Sequence, residues 1–295
     1  MTDTAPMIFD RANYRARRRR AAKAQADTFL ADIAVTAIAE RIAAVNYRFE
    51  SALDLGSRQA AFKELAGLAK KWTHAGPATS CGESGALVVA DEEALPFSNQ
   101  SFDLIVSVLS LHAVNDLPGS LRQICRTLKP NGLFMAAMFG GETLTELRQS
   151  FAQAETEIRG GVSPRVSPFA DIRDLGGLLQ RAGFALPVTD VERTTIRYRD
   201  IAKLFEDLRA IGETNVLSGR TSTPLTRQLL NAVSAQYANR FGDTGQRLPA
   251  TFEIVFLTGW APHESQQKPL RPGSARMRLA EALGTKEHPA GEKPC

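Results

Sequence analysis

Apolar residues in the middle of the chain follow two spacings, one typical of buried strands and one typical of a helix. Residues 102–109 form a nearly unbroken apolar run, as expected for a parallel strand that is buried on both faces. Residues 117–128 carry apolar side chains at helical spacing, and Pro130 and Gly132 are typical of the end of such a helix. A second apolar run follows at 132–139. The pattern therefore predicts a strand–helix–strand unit.

The same spacings predict further elements on both sides of this unit. Before it we expect strands at 49–55 and 86–90 and helices at 28–45 and 60–71, whereas residues 73–84 give little signal. After it we expect helices at 142–158, 171–182, 201–211 and 225–241 and a buried strand at 253–260. Because strands alternate with helices, the sequence favours the α/β class with a parallel, doubly wound sheet.

We expect three parts along the chain. A basic arm at 1–27 precedes one domain at 28–264, which carries a helical insertion at about 142–240, and a disordered tail rich in proline, glycine and charge follows at 265–295. Within the domain, the Gly/Pro/Ser-rich residues 160–168 are a candidate lid or insertion. A length of 295 residues, 43% of them hydrophobic, suits one α/β domain with an appendage.

The cysteines and the hydropathy of the sequence indicate the cellular compartment that we expect for this protein. The three cysteines are odd in number and scattered without metal-ligand spacing, which favours a reducing compartment. Cys125 lies on the apolar face of the predicted helix at 117–128, so core packing is its expected role. No apolar run approaches the roughly 20 residues of a membrane span, and no signal peptide is visible. We therefore expect a cytoplasmic protein without a metal site.

Positive charge is concentrated at the two ends of the chain. The formal net charge is +4; residues 1–30 hold seven basic against three acidic residues, and residues 265–295 hold six against three, so the body is slightly acidic. The run from Arg15 to Lys23 is interpreted first as the solvated start of a helix. A contact with an acidic protein, nucleic acid or acidic lipid is the alternative. No aromatic residues alternate with the arginines, which argues against a base-stacking surface.

Polar residues follow three of the predicted strands at the point where each strand ends. The first strand ends in Asp54 and Gly56, the strand at 86–90 runs into Asp91, and the strand at 102–109 runs towards His112. Because the carboxyl ends of parallel strands meet at one edge of a sheet, these residues predict a nucleoside-type pocket. Each residue has an alternative interpretation, since an acid–glycine pair also forms ordinary turns, Asp91 could cap a helix, and His112 could be a structural histidine.

Longer motifs in the sequence resemble a known family. They are FDR at 9–11, ALDLG at 52–56, ADEEALPF at 90–97, FDLIVSVLSLHAVNDLP at 102–118, LKPNGLF at 128–134, AMFGGETLTELR at 137–148, AETEIRGGVSPRVSPF at 154–169, DLGGLLQRAGF at 174–184 and GWAPHESQ at 259–266. Together they resemble the class I S-adenosylmethionine-dependent methyltransferases and, more narrowly, the family of mitochondrial respiratory complex I assembly factor 5 and its bacterial relatives. The resemblance covers roughly residues 8–266.

The resemblance implies a fold, a cofactor and site residues. The implied fold is a seven-stranded Rossmann-like sheet with an antiparallel strand near its end, for which residues 253–260 are the candidate, and S-adenosylmethionine would bind at the carboxyl edge. The implied cofactor-binding residues are Asp54, Gly56, Ser57, Asp91, Glu92, Ser107 and Leu109. His112 is the candidate general base, and Asn115 is the candidate positioning group for the acceptor.

The implied role is assembly of the respiratory NADH dehydrogenase through a protein substrate, with a complex I subunit as the suspected partner. Mitochondrial members of the family are associated with arginine hydroxylation rather than ordinary methyl transfer. A small-carboxylate O-methyltransferase of the malonyl-carrier type and a non-catalytic assembly factor are the alternatives. Nucleic acid is not an expected substrate, because the Asn-Pro-Pro-Tyr motif of many DNA methyltransferases is absent. We expect membrane association only through a partner. The chain begins almost at the FDR motif, which suggests a bacterial, cytoplasmic protein without a targeting extension.

The chain departs from the family pattern in the first loop. The usual D-L-G-C-G-x-G becomes D-L-G-S-R-Q-A at 54–60, so Arg58 stands where the backbone normally approaches the cofactor. The Arg58 guanidinium could block the carboxylate end of the cofactor or bind it. No clear acid ends a second strand, for which Glu83 is a weak substitute, and Ala113 replaces an aromatic residue of the family pattern.

Overall fold

A single mixed sheet forms the centre of the protein. The structure is a computed structural model and describes residues 7–24, 29–57, 62–76, 85–221, 223–267, 277 and 279–286. Its strands are β1 Phe49–Leu55, β2 Ala69–Gly76, β3 Ala86–Val89, β4 Phe102–Val108, β5 Leu128–Phe139, β6 Ala185–Tyr198 and β7 Leu248–Trp260. Its helices are α1 Arg11–Ala24, α2 Phe29–Ala43, α3 Phe62–Leu65, α4 Leu117–Thr127, α5 Thr145–Arg159, α6 Ile172–Ala182, α7 Ile201–Ala210, α8 Arg227–Phe241 and α9 Leu279–Ala282.

The strand order confirms the predicted architecture. Across the described residues the order is β3-β2-β1-β4-β5-β7-β6 in a seven-stranded sheet. Strands β1 to β5 pair in parallel, and β7 runs antiparallel between β5 and β6. The predicted strand at 253–260 is therefore confirmed as part of β7, which begins at Leu248. Because β1 and β4 are parallel neighbours, their carboxyl ends form one edge of the sheet.

The two faces of the sheet bury different side chains of β4. Leu104 and Val106 pack in the hydrophobic cluster that includes α2 and α5, whereas Ile105 packs with α4 and α6 on the other face. Every residue of β4 is buried, which explains its unbroken apolar run. Cys125 also packs against the second cluster, as its position on the apolar face of the helix predicted.

Strand β2 was not predicted, and the helix expected at 60–71 is wrong beyond residue 65. Helix α3 ends at Leu65, and a short 3-10 turn leads directly into β2 at Ala69. Lys70 and Lys71 are exposed in the first half of the strand, whereas Trp72 is buried. Two consecutive lysines hide the alternation that normally indicates a strand.

Strand β6 corrects the expected helical insertion at about 142–240. Helices α5, α6, α7 and α8 lie there as predicted, but 14 residues between α6 and α7 form an edge strand paired with β7. The strand is rich in Val, Thr and Ile and its burial largely alternates, which are signals of a half-exposed strand.

The Lys-Pro-Asn-Gly segment at 129–132 forms a bulge inside β5 and not a separate turn. The pairing between β4 and β5 shifts from Phe102–Leu128 to Leu104–Leu133 across this segment. Asn131 has a φ of 62°, a conformation that asparagine tolerates better than most residues.

The chain divides into two compact units, residues 1–262 and residues 263–295. In the second unit the described residues include the four-residue helix α9, while most of the tail expected to be disordered lies outside the described residues. The boundaries expected at residues 27 and 264 stay predictions. Within the described part of the chain, no helix combines the length and the apolar character of a membrane span.

Candidate active site

Asp54 lies at the carboxyl end of β1 and is held by a histidine of the neighbouring strand. Its side chain is buried, and its Oδ2 atom lies 3.0 Å from Nδ1 of His74 on β2. Its Oδ1 atom is also buried and accepts no hydrogen bond from the described residues. A buried carboxylate oxygen without a donor costs about 1–3 kcal/mol. This atom therefore marks a place where a donor group of a ligand would be stabilised.

Gly56 is required by the close approach of two other strand ends. Its φ is 74°, and its N–H donates to the carbonyl of Ala75 at 2.7 Å. A Cβ atom at this position would overlap the side chains of Ser110 and Glu92. The first glycine of the family loop is thus needed here because the side chains of Ser110 and Glu92 pack directly against it.

The predicted cofactor residues Ser57 and Ser107 tie β1 to β4. Ser107 Oγ donates to the carbonyl of Leu55 at 2.8 Å, and Ser57 Oγ accepts from the N–H of Val108 at 3.0 Å. Both hydroxyls therefore fix the geometry of the strand ends. Leu109 follows with a φ of 49°, which turns the chain sharply at the end of β4.

Helix α1 crosses this edge of the sheet and places Arg11 against the acidic residues after β3. Arg11 donates to the carbonyl of Ala113 at 2.8 Å, to Asp91 at 2.7 Å and to Glu92. Glu92 is completely buried and also accepts a hydrogen bond from Ser110. The predicted adenine-binding carboxylates are thus bound to a guanidinium of the same chain.

Arg18, two helical turns further along α1, occupies the other end of the crevice. It donates to the carbonyl of Gly56 and, at 3.3 Å, to the carbonyl of Leu109, and it lies 3.6 Å from a carboxylate oxygen of Glu213. Tyr14 lies between the two arginines, and its hydroxyl is 3.4 Å from Ser110 Oγ. We call the space bounded by these acceptors the crevice and note that α1 fills it.

The segment before α1 is anchored by Asn115. The side-chain amide of Asn115 accepts from the N–H of Phe9 at 2.8 Å and donates to the carbonyl of Phe9 at 3.1 Å. Phe9 and Tyr14 also pack in a small apolar cluster with Val216 and Leu217. The role of Asn115 as a positioning group for a substrate stays a prediction, but the contacts place it as a clamp on the N-terminal segment.

These contacts correct the interpretation of the arginine run as a solvated helix start. Arg18 is buried, although Arg19 and Arg20 are exposed as expected. Arg11, Tyr14 and Arg18 are spaced at i, i+3 and i+7, which places them on one face of a helix. This spacing was the available signal for their burial.

Hydrogen bonds from arginines and burial shift the pKa of two groups around the crevice, Asp91 and Tyr14. Burial acts to raise the pKa of Asp91, but hydrogen bonds from Arg15, from the Glu93 N–H and from Arg11 outweigh it and lower that pKa to about 2. Burial raises the pKa of Tyr14 to about 12. Asp91 is therefore ionised and Tyr14 is neutral at any physiological pH.

Buried His112 pairs with half-buried Glu213 beside the crevice. Its Nε2 atom lies 2.9 Å from Glu213 Oε2, and its Nδ1 atom is buried without a hydrogen-bond partner among the described residues. The ring packs against Phe139 and Phe169, with centroid distances of 5.0 and 5.8 Å. A carboxylate that holds one ring nitrogen fixes the tautomer and leaves the other nitrogen to receive a proton.

A cavity of about 360 Å³ begins at Glu213 and extends between α5, α7 and β7. Its apolar wall is formed by five phenyl rings, those of Phe139, Phe151, Phe169, Phe205 and Phe252. Three arginines also line it, namely Arg17, Arg165 and Arg209. We call this space the phenyl cavity; its lining combines aromatic rings, the Glu213 carboxylate and these three arginines.

The loop predicted as a lid forms part of the wall of the phenyl cavity. Arg165 binds the buried carboxylate of Glu155 on α5 through two nitrogens at 2.8 and 2.7 Å, and the N–H of Ser163 donates to the same carboxylate at 2.7 Å. Val166 and Ser167 line the cavity. The loop is therefore fastened to α5 in this conformation.

The structure brings most of the predicted site residues together but adds others. Asp54, Gly56, Asp91 and Glu92 meet at the crevice, and His112 lies beside it. The residues not predicted are Arg11, Tyr14, Arg18, His74 and Glu213. Arg58 and Glu83 lie outside the described residues, so their predicted roles stay predictions.

The acceptors of the crevice suit S-adenosylmethionine, but only in the absence of the two arginines. Carboxylates after β3, the carbonyls of Gly56 and Leu109 and the free Oδ1 of Asp54 are all acceptors, and the cofactor offers an adenine amine and an ammonium group as donors. Except for Asp54 Oδ1, these acceptors bind Arg11 or Arg18. The cofactor fits the residues of the crevice and competes with α1 for them.

Comparisons with known proteins agree with this fold and site. Residues 63–136 match the family described as "Methyltransferase domain", which supports S-adenosylmethionine as the cofactor. A putative methyltransferase from Bacillus halodurans superposes with a TM-score of 0.53 at 15% identity, covering 77% of this chain and 99% of that one, which shows the fold. The malonyl-[acyl-carrier protein] O-methyltransferase of Laribacter hongkongensis is 39% identical over 64% of this chain and 61% of that protein.

Several relatives from different organisms share one name. The zebrafish "Arginine-hydroxylase NDUFAF5, mitochondrial" is 45% identical over 66% of this chain, and the match spans 60% of the length of that protein. The human protein of the same name is 40% identical over 93% of this chain and 83% of that protein. With the methyltransferase sheet and a relative of this similarity along nearly its whole length, the chain belongs to the NDUFAF5 family of methyltransferase-fold proteins.

Proposed function

We propose that this protein uses S-adenosylmethionine at the crevice and acts on an arginine side chain of a protein substrate during assembly of respiratory complex I in the cytoplasm. The similarity to proteins named arginine-hydroxylase supports the arginine acceptor. The observation that carries the proposal is the His112–Glu213 pair, because Glu213 both lines the phenyl cavity and lies 3.6 Å from Arg18 in the crevice. A carboxylate among aromatic rings is a favourable environment for a guanidinium, through charge-assisted hydrogen bonds and cation–π contacts.

His112 and Glu213 have separate roles in this proposal. Glu213 accepts a hydrogen bond from His112 Nε2 and holds the ring in place, so His112 Nδ1 is the atom that takes a proton from the acceptor. The phenyl rings exclude water from the acceptor and orient it. S-adenosylmethionine, when bound, supplies a methyl group on a sulfonium; the residues of this chain supply position and a base.

The experiment is a comparison of complex I subunits from cells with and without the gene. We expect one subunit arginine to lose the added mass of a methyl group when the gene is absent, or that of an oxygen atom where an external oxidant serves as co-substrate. Cells that carry His112→Gln should show the same loss, because removal of a general base lowers rates by roughly 10²–10⁴-fold. Glu206→Gln, at an exposed position of α7, is the matched control and should restore the modification. An unchanged set of subunit masses in the deletion strain would contradict the proposal.

The arginines of the phenyl cavity favour a second candidate, an O-methyltransferase for a small carboxylate on an acyl carrier. Arg17 and Arg209 form no ion pair among the described residues, so a carboxylate could pair with them. A relative is named malonyl-[acyl-carrier protein] O-methyltransferase. Methyl transfer to a malonyl-loaded carrier in vitro, reduced by Arg209→Ala, would favour this candidate over the arginine acceptor.

A non-catalytic assembly factor is the third candidate, and the filling of the crevice by α1 favours it. Calorimetry with S-adenosylmethionine separates it from the other two. A protein that binds its complex I partner but shows no cofactor binding at millimolar ligand, with or without Arg11 and Arg18, would be a scaffold.

A further inference from the structure

Two guanidinium groups of one helix hold the acceptors at both ends of the crevice. Arg11 binds the two carboxylates after β3, and Arg18 binds the carbonyls of Gly56 and Leu109. With a rise of 1.5 Å per residue, seven residues of helix separate their Cα atoms by about 10 Å. A single element therefore engages both ends at once.

The acceptor sets match the donor groups of the cofactor. S-adenosylmethionine carries an amine on its adenine ring and an ammonium on its methionine part, at opposite ends of an extended molecule. Arg11, Tyr14 and Arg18 are exposed by only 6%, 1% and 6%, so they take up the space above the strand ends. A cofactor bound to these acceptors and the guanidinium groups of Arg11 and Arg18 cannot occupy that space together.

The charges of the crevice also suit a cationic ligand. The Arg18 guanidinium interacts electrostatically with three carboxylates, those of Asp54, Glu92 and Glu213. The Asp91 carboxylate forms ion pairs with both Arg11 and Arg15. Without the guanidiniums, Asp91 and Glu92 lose donors that they have now, while Asp54 Oδ1 accepts no hydrogen bond from the described residues even with the guanidiniums in place. Such a set of carboxylates stabilises a cation, because buried charges require a partner of opposite sign.

We propose that α1 is an internal competitor for the cofactor: Arg11 and Arg18 hold the crevice, and S-adenosylmethionine binds only after these two side chains have left it. The inference rests on the proposed function, because it takes S-adenosylmethionine as the ligand. It adds that the first helix of the chain sets the affinity for that ligand. Asn115 keeps the segment before α1 attached while the arginines exchange with the cofactor.

The test is calorimetry of the full-length protein with S-adenosylmethionine and, separately, with S-adenosylhomocysteine. Arg18→Met keeps an apolar stem in the buried site and removes the guanidinium. A ligand that binds only the open form has its affinity lowered by the fraction of open molecules, so a form with α1 docked 90% of the time binds about 10-fold more weakly. We therefore expect Arg18→Met to bind S-adenosylmethionine at least ~10-fold more tightly than the unaltered protein.

The second ligand tests the charge argument. S-adenosylmethionine has a sulfonium charge that S-adenosylhomocysteine lacks, while the two share the adenine and the amino acid. Because the variant crevice has lost a positive charge, Arg18→Met should tighten the binding of S-adenosylmethionine more than that of S-adenosylhomocysteine. Equal tightening for the two ligands would show that Arg18 competes only by occupying space. The part of the inference that concerns charge would then be wrong.

Matched variants keep the outcome clear. Arg19→Met changes an exposed arginine of the same helix and should leave the affinity unchanged. Arg11→Met tests the other end of the crevice if Arg18→Met proves too unstable to purify. In the unaltered protein, saturating S-adenosylmethionine should increase amide hydrogen exchange in residues 11–24, since the arginines of α1 lose their acceptors.

Three results would overturn the inference, and they can be told apart. Weaker binding by both arginine variants would make the arginines ligands of the cofactor, not competitors. Equal binding by all forms, with no change in exchange at 11–24, would leave the proposed function standing without a competitor. No binding by any form at millimolar ligand would remove the cofactor and the competitor together.

Discussion

The crevice and the phenyl cavity are linked through Glu213, which lines the cavity and lies 3.6 Å from Arg18, and they differ in how their polar groups are satisfied. In the crevice, nearly every acceptor is bonded to an arginine of α1. In the phenyl cavity, a ring wall surrounds one carboxylate, and two of the three arginines have no acidic partner among the described residues.

This difference separates two kinds of binding. A ligand of the crevice must replace hydrogen bonds that the protein already makes with its own arginines. Its free energy of binding is therefore the difference between the ligand's contacts and the arginine contacts that are lost. A ligand of the phenyl cavity displaces only solvent from apolar rings and gains the full effect of burial. The proposed competition by α1 therefore applies to a ligand of the crevice and not to a ligand of the phenyl cavity.

The largest expected effect comes from the wall of the phenyl cavity. Phe252 is completely buried on β7, with its ring centroid 6.2 Å from that of Phe139. Phe252→Ala should lower the free energy of unfolding by about 3–5 kcal/mol, because it removes a buried ring and leaves a void. Urea unfolding followed by circular dichroism measures the change.

Phe205→Ala provides the matched control, since this ring lines the same cavity but is only half-buried. We expect its effect to be clearly smaller than that of Phe252→Ala. Equal losses in the free energy of unfolding would show that the buried and the half-buried rings of the cavity contribute equally to stability, contrary to this prediction.

A smaller effect is expected at the clamp beside the crevice. Asn115→Ala leaves the N–H and the carbonyl of Phe9 without their partners, which should lower the free energy of unfolding by about 1–3 kcal/mol. Asn99→Ala, at an exposed position, should change it by less than about 0.5 kcal/mol. If Asn115→Ala abolished modification of the substrate and left stability intact, its predicted role in positioning the acceptor would be supported instead.

The smallest effect is a pH dependence confined to the crevice. The pKa of Asp91 is lowered to about 2 from an ordinary value of 3.8, so its ion pairs stabilise the fold above about pH 4 and lose that contribution as the pH falls towards 2. Asp91→Asn should remove this part of the acid dependence. Unfolding curves of both forms at a series of pH values between 5 and 2 make the comparison; parallel curves for the two forms would contradict it.

The sequence was sufficient to predict five of the seven described strands, all except β2 and β6, and the residues at the ends of β1, β3 and β4. The apolar runs of β4 and β5 are long because both faces of the sheet are covered, and such burial leaves a clear pattern. Asp54, Gly56, Asp91 and Glu92 could be placed together because parallel strands end at a common edge.

Contacts between distant segments could not be predicted in the same way. Glu213 lies just after α7, about a hundred residues from His112, and a single acid in a loop has no periodic pattern. Arg18 stands in a run of similar residues, so composition alone does not reveal which arginine is buried. Strand β2 was missed because its exposed lysines obscure the alternation.

The pairing of residues 8–10 with the segment at 216–218 has a consequence for biosynthesis. Backbone hydrogen bonds join Asp10 to Val216 and Ser218 to Ile8, so residues 8–10 cannot complete this pairing until more than two hundred further residues have left the ribosome. At about 5–20 residues per second, that delay is on the order of 10–40 s. The acceptors of Arg11 and Arg18 all precede residue 114, so the crevice can receive α1 well before the segment that fastens residues 8–10 has been made.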